Sequence, residues 1–351
     1  MQFEWRNNRR EVTVAAPAKL NLYLEILGRR ADGFHEIDTL MQAISLADEI
    51  DFRSRPAGTT LDTFAVAPGP GLTPDDVPPA STDNLVLRAV RMMREEAVRR
   101  GCRPELEGLD ITLRKCVPMG AGLGGGSSDA AATLLALDRL WGLDLDGETL
   151  EGFAAELGSD VAFFLYGGMA RCLGRGEIVR PVVAASSEPT AELPSDESNS
   201  GGTFYYAVVV PPVHVSTSLI YKSLSLPVGD GKGLTTPEPL LTMNLSSIHA
   251  ALRSGELIRN RLQDVAFRCF PVLGEVYGVL CEEGFGAVQL TGSGAAIFGT
   301  CENAEQARTK VRKIRSRFES RFREGAETLP GSVHAESWHV FEVSSVPRWS
   351  S

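Results

Sequence analysis

The chain has 351 residues, 43% of them hydrophobic, and a formal net charge of −10. That length suggests two domains, and the composition supports ordinary apolar cores. The acidic balance argues against nucleic acid or an anionic membrane as partner, since both favour a basic surface; an anionic small ligand would be met locally by backbone N–H groups and a few Lys or Arg.

Residues 1–10 lack the apolar stretch of a secretory signal. No apolar run approaches the ~20 residues needed to span a bilayer, so a cytoplasmic location is expected. The six cysteines (Cys102, Cys116, Cys172, Cys269, Cys281 and Cys301) form no Cys-x-x-Cys pair and have no His cluster nearby. They read as reduced thiols, buried or incidental, and no protein-built metal site is expected.

In chain order, Val12–Ala16 predicts a short strand, a loop carries Pro17, Lys19 and Asn21, and strand resumes at Leu22–Leu27. A turn at Ala31-Asp32-Gly33 leads to His35. Residues 54–82 are rich in Pro, Gly and Thr and predict an irregular insertion. Asn84–Arg99 has helical periodicity, with Asp83 as N-cap. Ile111–Val117 alternates like a strand and Pro118 stops it. After a glycine-rich stretch, Ser127–Trp141 predicts a helix with Gly142 just past its end. A further helix is expected at Leu150–Leu157, followed by Gly158-Ser159-Asp160.

Residues 185–203 are nearly devoid of large apolar side chains and predict a flexible linker. The expected division is an N-terminal domain at 1–184 and a C-terminal domain at 204–351. Within the latter, Phe204–Val210 predicts a buried strand, and helices are expected at Leu257–Phe270 and Leu273–Glu283. A strand–loop–strand around Thr291–Gly294, a helix at Ala304–Phe318, a loose tail at Gly325–His334 and a final strand at Trp338–Val343 complete the chain.

The strongest signal is Pro118-Met-Gly-Ala-Gly-Leu-Gly-Gly-Gly-Ser-Ser-Asp-Ala-Ala131, with five glycines within seven residues. Strand, then bare backbone, then helix start is the arrangement that lets N–H groups and a helix dipole meet phosphate. Ser127 and Ser128 add hydroxyls suited to phosphate oxygens or a Mg²⁺ shell. The loop is not Gly-x-x-x-x-Gly-Lys-Ser/Thr, because no Lys precedes the serines. Gly120, Gly122 and Gly125 do match Gly-x-Gly-x-x-Gly. A dinucleotide fold would then need an acid at the end of a second strand, and Asp144 and Asp146 follow Leu140-Trp-Gly-Leu with no strand between.

Pro118–Ala131 resembles the phosphate-binding motif of the superfamily of galactokinase, homoserine kinase and mevalonate kinase (the GHMP kinases). Ala16-Pro-Ala-Lys-Leu-Asn-Leu-Tyr-Leu24 with Arg30-Ala-Asp-Gly-Phe-His35, Leu157-Gly-Ser-Asp-Val161 and Leu290-Thr-Gly-Ser-Gly-Ala-Ala-Ile-Phe298 narrow the likeness to the 4-diphosphocytidyl-2-C-methyl-D-erythritol kinase family. Phe34 stands where the family commonly has Tyr, and Ala162 replaces a frequent Pro.

The resemblance implies a two-domain α+β fold, a β/α phosphate-binding domain followed by a ferredoxin-like one, with the site between them. It implies transfer of the ATP γ-phosphate to a hydroxyl of a cytidylyl sugar alcohol, with Mg²⁺. Asp160 would be the base and Lys19 would stabilise the developing alkoxide. Pro118, Gly120, Gly122, Leu123, Gly124, Gly125, Gly126, Ser127 and Ser128 would form the ATP loop. Asn21, Phe34, His35, Tyr221, Thr291, Gly292, Ser293 and Gly294 would meet the acceptor, with Tyr221 a ring suited to stack on cytosine.

By spacing alone Asp160 is a helix N-cap, Lys19 a solvated lysine, His35 an ordinary histidine and Tyr221 a core aromatic. Asp129, in the first turn of the helix, is expected to face away from the phosphates. The partners expected are two small molecules, with a monomer or homodimer as the assembly. Other readings stay open: a kinase for another alcohol such as mevalonate or homoserine, a nucleotide-binding regulator without catalysis, and a nicotinamide oxidoreductase.

Overall fold

The computed structural model describes residues 1–7, 10–56, 58–59, 61–102, 108–182, 203–225, 251, 258–324 and 338–348. The predicted linker, apart from residue 203, and the predicted tail at Gly325–His334 lie outside them, as does the start of the helix expected at Leu257.

The first half builds an eight-stranded sheet around two long antiparallel strands, β2 (Glu11–Arg29) and β3 (His35–Ser54), preceded by the edge strand β1 (Gln2–Arg6). Where the sequence predicts strand, loop and strand, β2 is continuous, with register shifts at Pro17/Lys19, Asn21/Tyr23 and Ile26/Gly28. Bulges of this kind absorb an extra residue without ending the pairing. Lys19 and Asn21 therefore stand on a strand rather than in a loop. Burial along β2 alternates at first and then runs unbroken from Ala16 to Ile26. A strand buried on both faces reads as a continuous apolar run.

The insertion at 54–82 is not irregular throughout. It contains β4 (Thr63–Pro68), which pairs in parallel with β5 (Leu109–Lys115), and a 3-10 turn at Pro74–Asp76. Thr63–Pro68 does alternate, but its Pro- and Gly-rich flanks hide the pattern.

The helices α1 (Leu85–Arg99), α2 (Gly125–Trp141), α3 (Gly147–Leu157) and α4 (Val161–Tyr166) share one apolar core with this sheet. In α1 the buried residues Val86, Ala89, Val90, Met93 and Ala97 lie on one helical face. Its cap is Asn84, whose side chain accepts from Val86 N at 2.9 Å, rather than Asp83. Helix α2 starts two residues earlier than expected, at Gly125, and ends at Gly142 as expected. Its small residues Ala130, Ala131, Ala132 and Ala136 bring it close onto the sheet. Strands β6 (Met169–Gly174) and β7 (Ile178–Pro181) extend the sheet beside the first half of β3.

The second half begins with β8 (Tyr205–Val210) and α5 (Thr217–Ser223). Strand β9 (Arg259–Asn260) then crosses back to pair with Tyr23 and Leu24 of β2. Helices α6 (Gln263–Cys269) and α7 (Pro271–Glu282), strands β10 (Val288–Leu290) and β11 (Ile297–Cys301), helix α8 (Ala304–Glu324) and strand β12 (His339–Ser344) complete it. The sheet order β10-β11-β8-β12 is antiparallel throughout. With helices between β8 and β10 and between β11 and β12, this is the β-α-β-β-α-β pattern of the expected ferredoxin-like domain.

A third apolar cluster joins the halves: Leu20, Leu22, Leu40, Val117 and Leu123 from one side, Tyr206, Val208, Ala296 and Phe298 from the other. Among the described residues no helix is long and apolar enough to cross a membrane.

Candidate active site

The glycine-rich loop is wedged between β2 and the Thr291–Ala296 loop of the second half. Lys19 N donates to Leu123 O at 2.9 Å, and Ala296 N donates to Ala121 O at 3.0 Å. Two glycines are dictated by this approach. Gly122 has φ +75, and a Cβ there would sit 2.3 Å from the Thr291 carbonyl. Gly124 has φ +73, and its Cβ would meet the Phe164 ring at 3.0 Å and Lys19 Cγ at 3.1 Å. No L side chain fits either place without displacing its neighbours.

A cavity of about 1040 Å³ opens beside this loop, lined by residues of both halves. Small-molecule sites usually run to ~300–1,000 Å³, so this one has room for two substrates side by side. Of the residues singled out from the sequence, Lys19, Asn21, Phe34, His35, Gly122, Gly124, Ser127, Asp160, Tyr221, Gly292 and Ser293 line it. Pro118, Gly120, Leu123, Gly125, Gly126, Ser128, Thr291 and Gly294 are not part of the lining. Leu123 packs into the core between the halves, and the Ser128 hydroxyl is buried with no hydrogen-bond partner among the described residues. Thr291 acts from behind, its Oγ1 accepting from Asn21 N at 3.0 Å.

On one part of the lining, Lys19 Nζ lies 3.6 Å from Asp160 Oδ2 and donates to Asn21 Oδ1 at 2.5 Å. Asn21 Nδ2 in turn donates to Thr39 Oγ1 at 2.8 Å, and Thr39 Oγ1 to Tyr23 O at 2.6 Å. Lys19 is only 3% exposed, so its ammonium is held by this relay rather than by water. Asp160 occupies the N-cap position of α4, yet its side chain accepts no capping hydrogen bond. The capping role that spacing alone favours is not the one the carboxylate performs, and it faces the cavity instead.

A second part of the lining is aromatic. The rings of His35 and Tyr221 lie 4.9 Å apart at 38°, and Phe34 stands 54% exposed at the rim with the Arg175 guanidinium 5.1 Å from its centroid. Burial, aided by the charge of Arg29, lowers the His35 pKa, which favours the neutral imidazole. Burial and then the Asp160 charge push the Tyr221 phenol far above its ordinary value.

Asp129 faces away from the cavity, as expected, but its partner is not the helix dipole. Lys115 Nζ reaches Asp129 Oδ2 at 2.9 Å and also Asp48, and all three side chains are almost fully buried. Asp48 Oδ1 accepts Cys116 N at 2.6 Å and Val117 N at 2.8 Å, so this cluster fastens the entry to the glycine loop. Residues that sequence reasoning missed in the lining include Arg29, Ser159, Arg175, Thr217 and Lys222. Ser159 lies within the Leu157–Val161 motif and Arg175 in the Gly-Arg-Gly-Glu turn at 174–177; the others carried no local signal.

The model for GHMP kinases N terminal domain matches residues 84–168, and that for GHMP kinases C terminal matches residues 240–320. The chain is 36% identical over 323 residues to a 4-diphosphocytidyl-2-C-methyl-D-erythritol kinase of Ralstonia nicotianae, covering 91% of this chain and 96% of that protein. It is 33% identical over 330 residues to the same-named kinase of Hahella chejuensis, covering 93% and 97%. The chain belongs to the 4-diphosphocytidyl-2-C-methyl-D-erythritol kinase family. A solved 4-(cytidine 5'-diphospho)-2C-methyl-D-erythritol kinase superposes with a TM-score of 0.66 at 30% identity, covering 95% of this chain and 99% of that one. A homoserine kinase from Cytophaga hutchinsonii gives a TM-score of 0.59 at 18% identity, which shows a shared fold only. The family is a branch of the GHMP kinases, so the use of ATP follows from membership.

Proposed function

We propose that this enzyme transfers the γ-phosphate of ATP to a hydroxyl of 4-diphosphocytidyl-2-C-methyl-D-erythritol, in the methylerythritol phosphate route to isoprenoid precursors. The observation that carries the reading is the contact of 3.6 Å between the Lys19 ammonium and the Asp160 carboxylate, on a cavity wall shared with Gly122, Gly124 and Ser127. Phosphoryl transfer depends on positioning, charge neutralisation and a group that accepts the hydroxyl proton. Asp160 would accept that proton, and the Lys19 ammonium would stabilise the alkoxide as it develops. Exposed N–H groups at the start of α2 would receive phosphate oxygens.

Elsewhere on the lining, His35, Phe34 and Tyr221 would take the cytosine, the neutral imidazole meeting the base edge and the rings its faces. Among the described residues no group of three or more His, Cys, Asp or Glu is arranged for a metal. The hard oxygen donors that line the cavity, the Ser127 hydroxyl and the Asp160 carboxylate, suit Mg²⁺ delivered with ATP. Bound Mg²⁺ supplies charge neutralisation on the phosphates.

Release of ADP with the cytidylyl acceptor, mevalonate and homoserine offered separately tests the reading. Turnover is expected with the first alone. Equal use of mevalonate or homoserine would transfer the enzyme to another alcohol.

A further inference from the structure

The turn between β6 and β7 meets both the Ser159–Asp160 entry and the Phe34 ring. It is closed by Arg175 N donating to Glu177 Oε2 at 2.5 Å and Gly176 N donating to Leu173 O at 3.0 Å. Gly176, at φ +123, lies so close to the helix entry that an added Cβ would be 3.3 Å from Ser159 O and 3.5 Å from Asp160 Oδ1. The next side chain, Arg175, reaches the other way, to 5.1 Å from the centroid of the Phe34 ring, and lines the cavity between these contacts.

Its guanidinium is only partly engaged. Glu177 Oε1 approaches Nε at 3.6 Å, beyond hydrogen-bond length, and neither terminal nitrogen has a hydrogen-bond partner among the described residues. Arg29 and Lys222 also line the cavity, but both are exposed and neither is braced by a ring. An arginine held by a cation–π contact, with free terminal N–H groups, is preorganised for a forked contact with phosphate.

We propose that Arg175 is a specificity-determining residue for acceptors that carry a nucleoside-diphosphate linkage. The inference rests on the function proposed above. In an acceptor whose base sits by Phe34 and whose alcohol meets Asp160, the diphosphate is the segment between them, and Arg175 is the cation whose turn packs on the Asp160 entry through Gly176 while its guanidinium meets Phe34. A neutral alcohol leaves its terminal N–H groups without an acceptor; a diphosphate-linked one satisfies them. Arg175 thus selects by charge, while the aromatic part of the lining selects by base.

The test compares the parent enzyme with Arg175→Gln and Arg175→Lys. The Glu177 contact that closes the turn uses the Arg175 backbone, so both variants are expected to melt with the parent. In Arg175→Gln the acceptor KM is expected to rise roughly 10- to 100-fold, the range for losing a hydrogen bond to a charged group. The KM for ATP should be unchanged and kcat nearly so. Arg175→Lys should recover part of the loss, because it restores the charge without the fork. A structural role alone would move both KM values together, or the melting temperature. An unchanged acceptor KM in Arg175→Gln overturns the proposal. If the parent does not turn over the cytidylyl acceptor at all, the function proposed above fails. Calorimetric binding of CDP then decides for Arg175 alone: weaker binding by Arg175→Gln supports its role, and equal binding refutes it.

Discussion

At the residue scale, the proposed reacting group is a pair rather than a single carboxylate. Asp160 is left without a capping hydrogen bond and stands 3.6 Å from an ammonium that β2 and Asn21 hold out of water. Asp160→Asn keeps the shape and removes the proton acceptor. Turnover should fall by roughly 10²–10⁴-fold, the usual worth of base assistance, with ATP binding intact. Lys19→Ala should also lower turnover. Because residues acting as a unit are not additive, the double variant should be little worse than the poorer single one. Near-parental turnover by Asp160→Asn, measured as ADP release, would remove Asp160 from the chemistry. The residue types and order of this pair were legible in the motifs. The relay through Asn21 and Thr39 was not, because Thr39 belongs to β3 and meets Asn21 only when the strands pair.

At the scale of elements, the glycine loop and the helix it starts separate into positions that pack and positions that are open. A side chain at Gly124 would strike Phe164 and Lys19. Gly124→Val is therefore expected to destabilise the fold and displace Lys19, so it does not isolate phosphate binding. Gly126 is exposed, and a Cβ there meets nothing closer than Leu85 Cδ1 at 3.8 Å. Gly126→Ala should leave the melting temperature equal or slightly higher, since Ala favours a helix over Gly by ~0.5–1 kcal/mol. If phosphate approaches the first turn of α2, the added methyl should raise the KM for ATP. An unchanged KM in a well-folded variant would show that the phosphates avoid this turn.

The strand entering the loop carries its own ionic device. Two carboxylates, Asp48 and Asp129, share the Lys115 ammonium in a nearly water-free site. Burial, opposed by Lys115 and reinforced by the Asp48 charge, pushes Asp129 up to about 8. An acid whose folded pKa is raised stabilises the fold while protonated, and that contribution is lost as pH rises from the unfolded value through the folded one. The parent should therefore lose stability between about pH 4 and pH 8 on this account. Asp129→Asn, neutral at every pH, should lack that decline, gaining on the parent as pH rises. Urea midpoints for both proteins at pH 5.5 and 8.5 would show it, and parallel shifts would contradict the shared proton. The sequence offers Asp129 as a dipole partner because its three-residue context contains nothing else. Lys115 is fourteen residues away and Asp48 lies on another strand.

At the scale of the whole molecule, the halves are stitched by chain that returns late. Val346 N donates to Ala43 O at 2.9 Å, Ser345 N to Phe204 O at 2.8 Å, and Gln42 Nε2 to Val346 O at 3.2 Å. Arg348 pairs with Gly167 and lays its guanidinium 5.7 Å from the Tyr166 ring. Ending the chain at Ser344 would remove these bonds and leave Ala43 O only its contact with Gln42 Nε2. At ~0.5–1.5 kcal/mol for each of a few lost bonds, the melting temperature should drop by about 2–6 °C. A truncated chain that melts with the parent would show that the strap carries no stability.

The sequence by itself determined the local and the chemical: most helices and strands, the glycine loop, the family's motifs in order, and Asp160, Lys19 and His35 as the candidates that the cavity brings together. Periodicity, caps and glycine runs are written in consecutive residues, so they can be read there. Only the tertiary structure decided that β2 runs unbroken through Lys19, that β4 completes an edge within the insertion, and that β9 crosses from the second half to pair with the first. It also decided which members of the motifs line the cavity, and it added Arg175 to them. Strand pairing and cavity walls are made by residues far apart in the chain, and their contacts exist only once the two halves close on a common core.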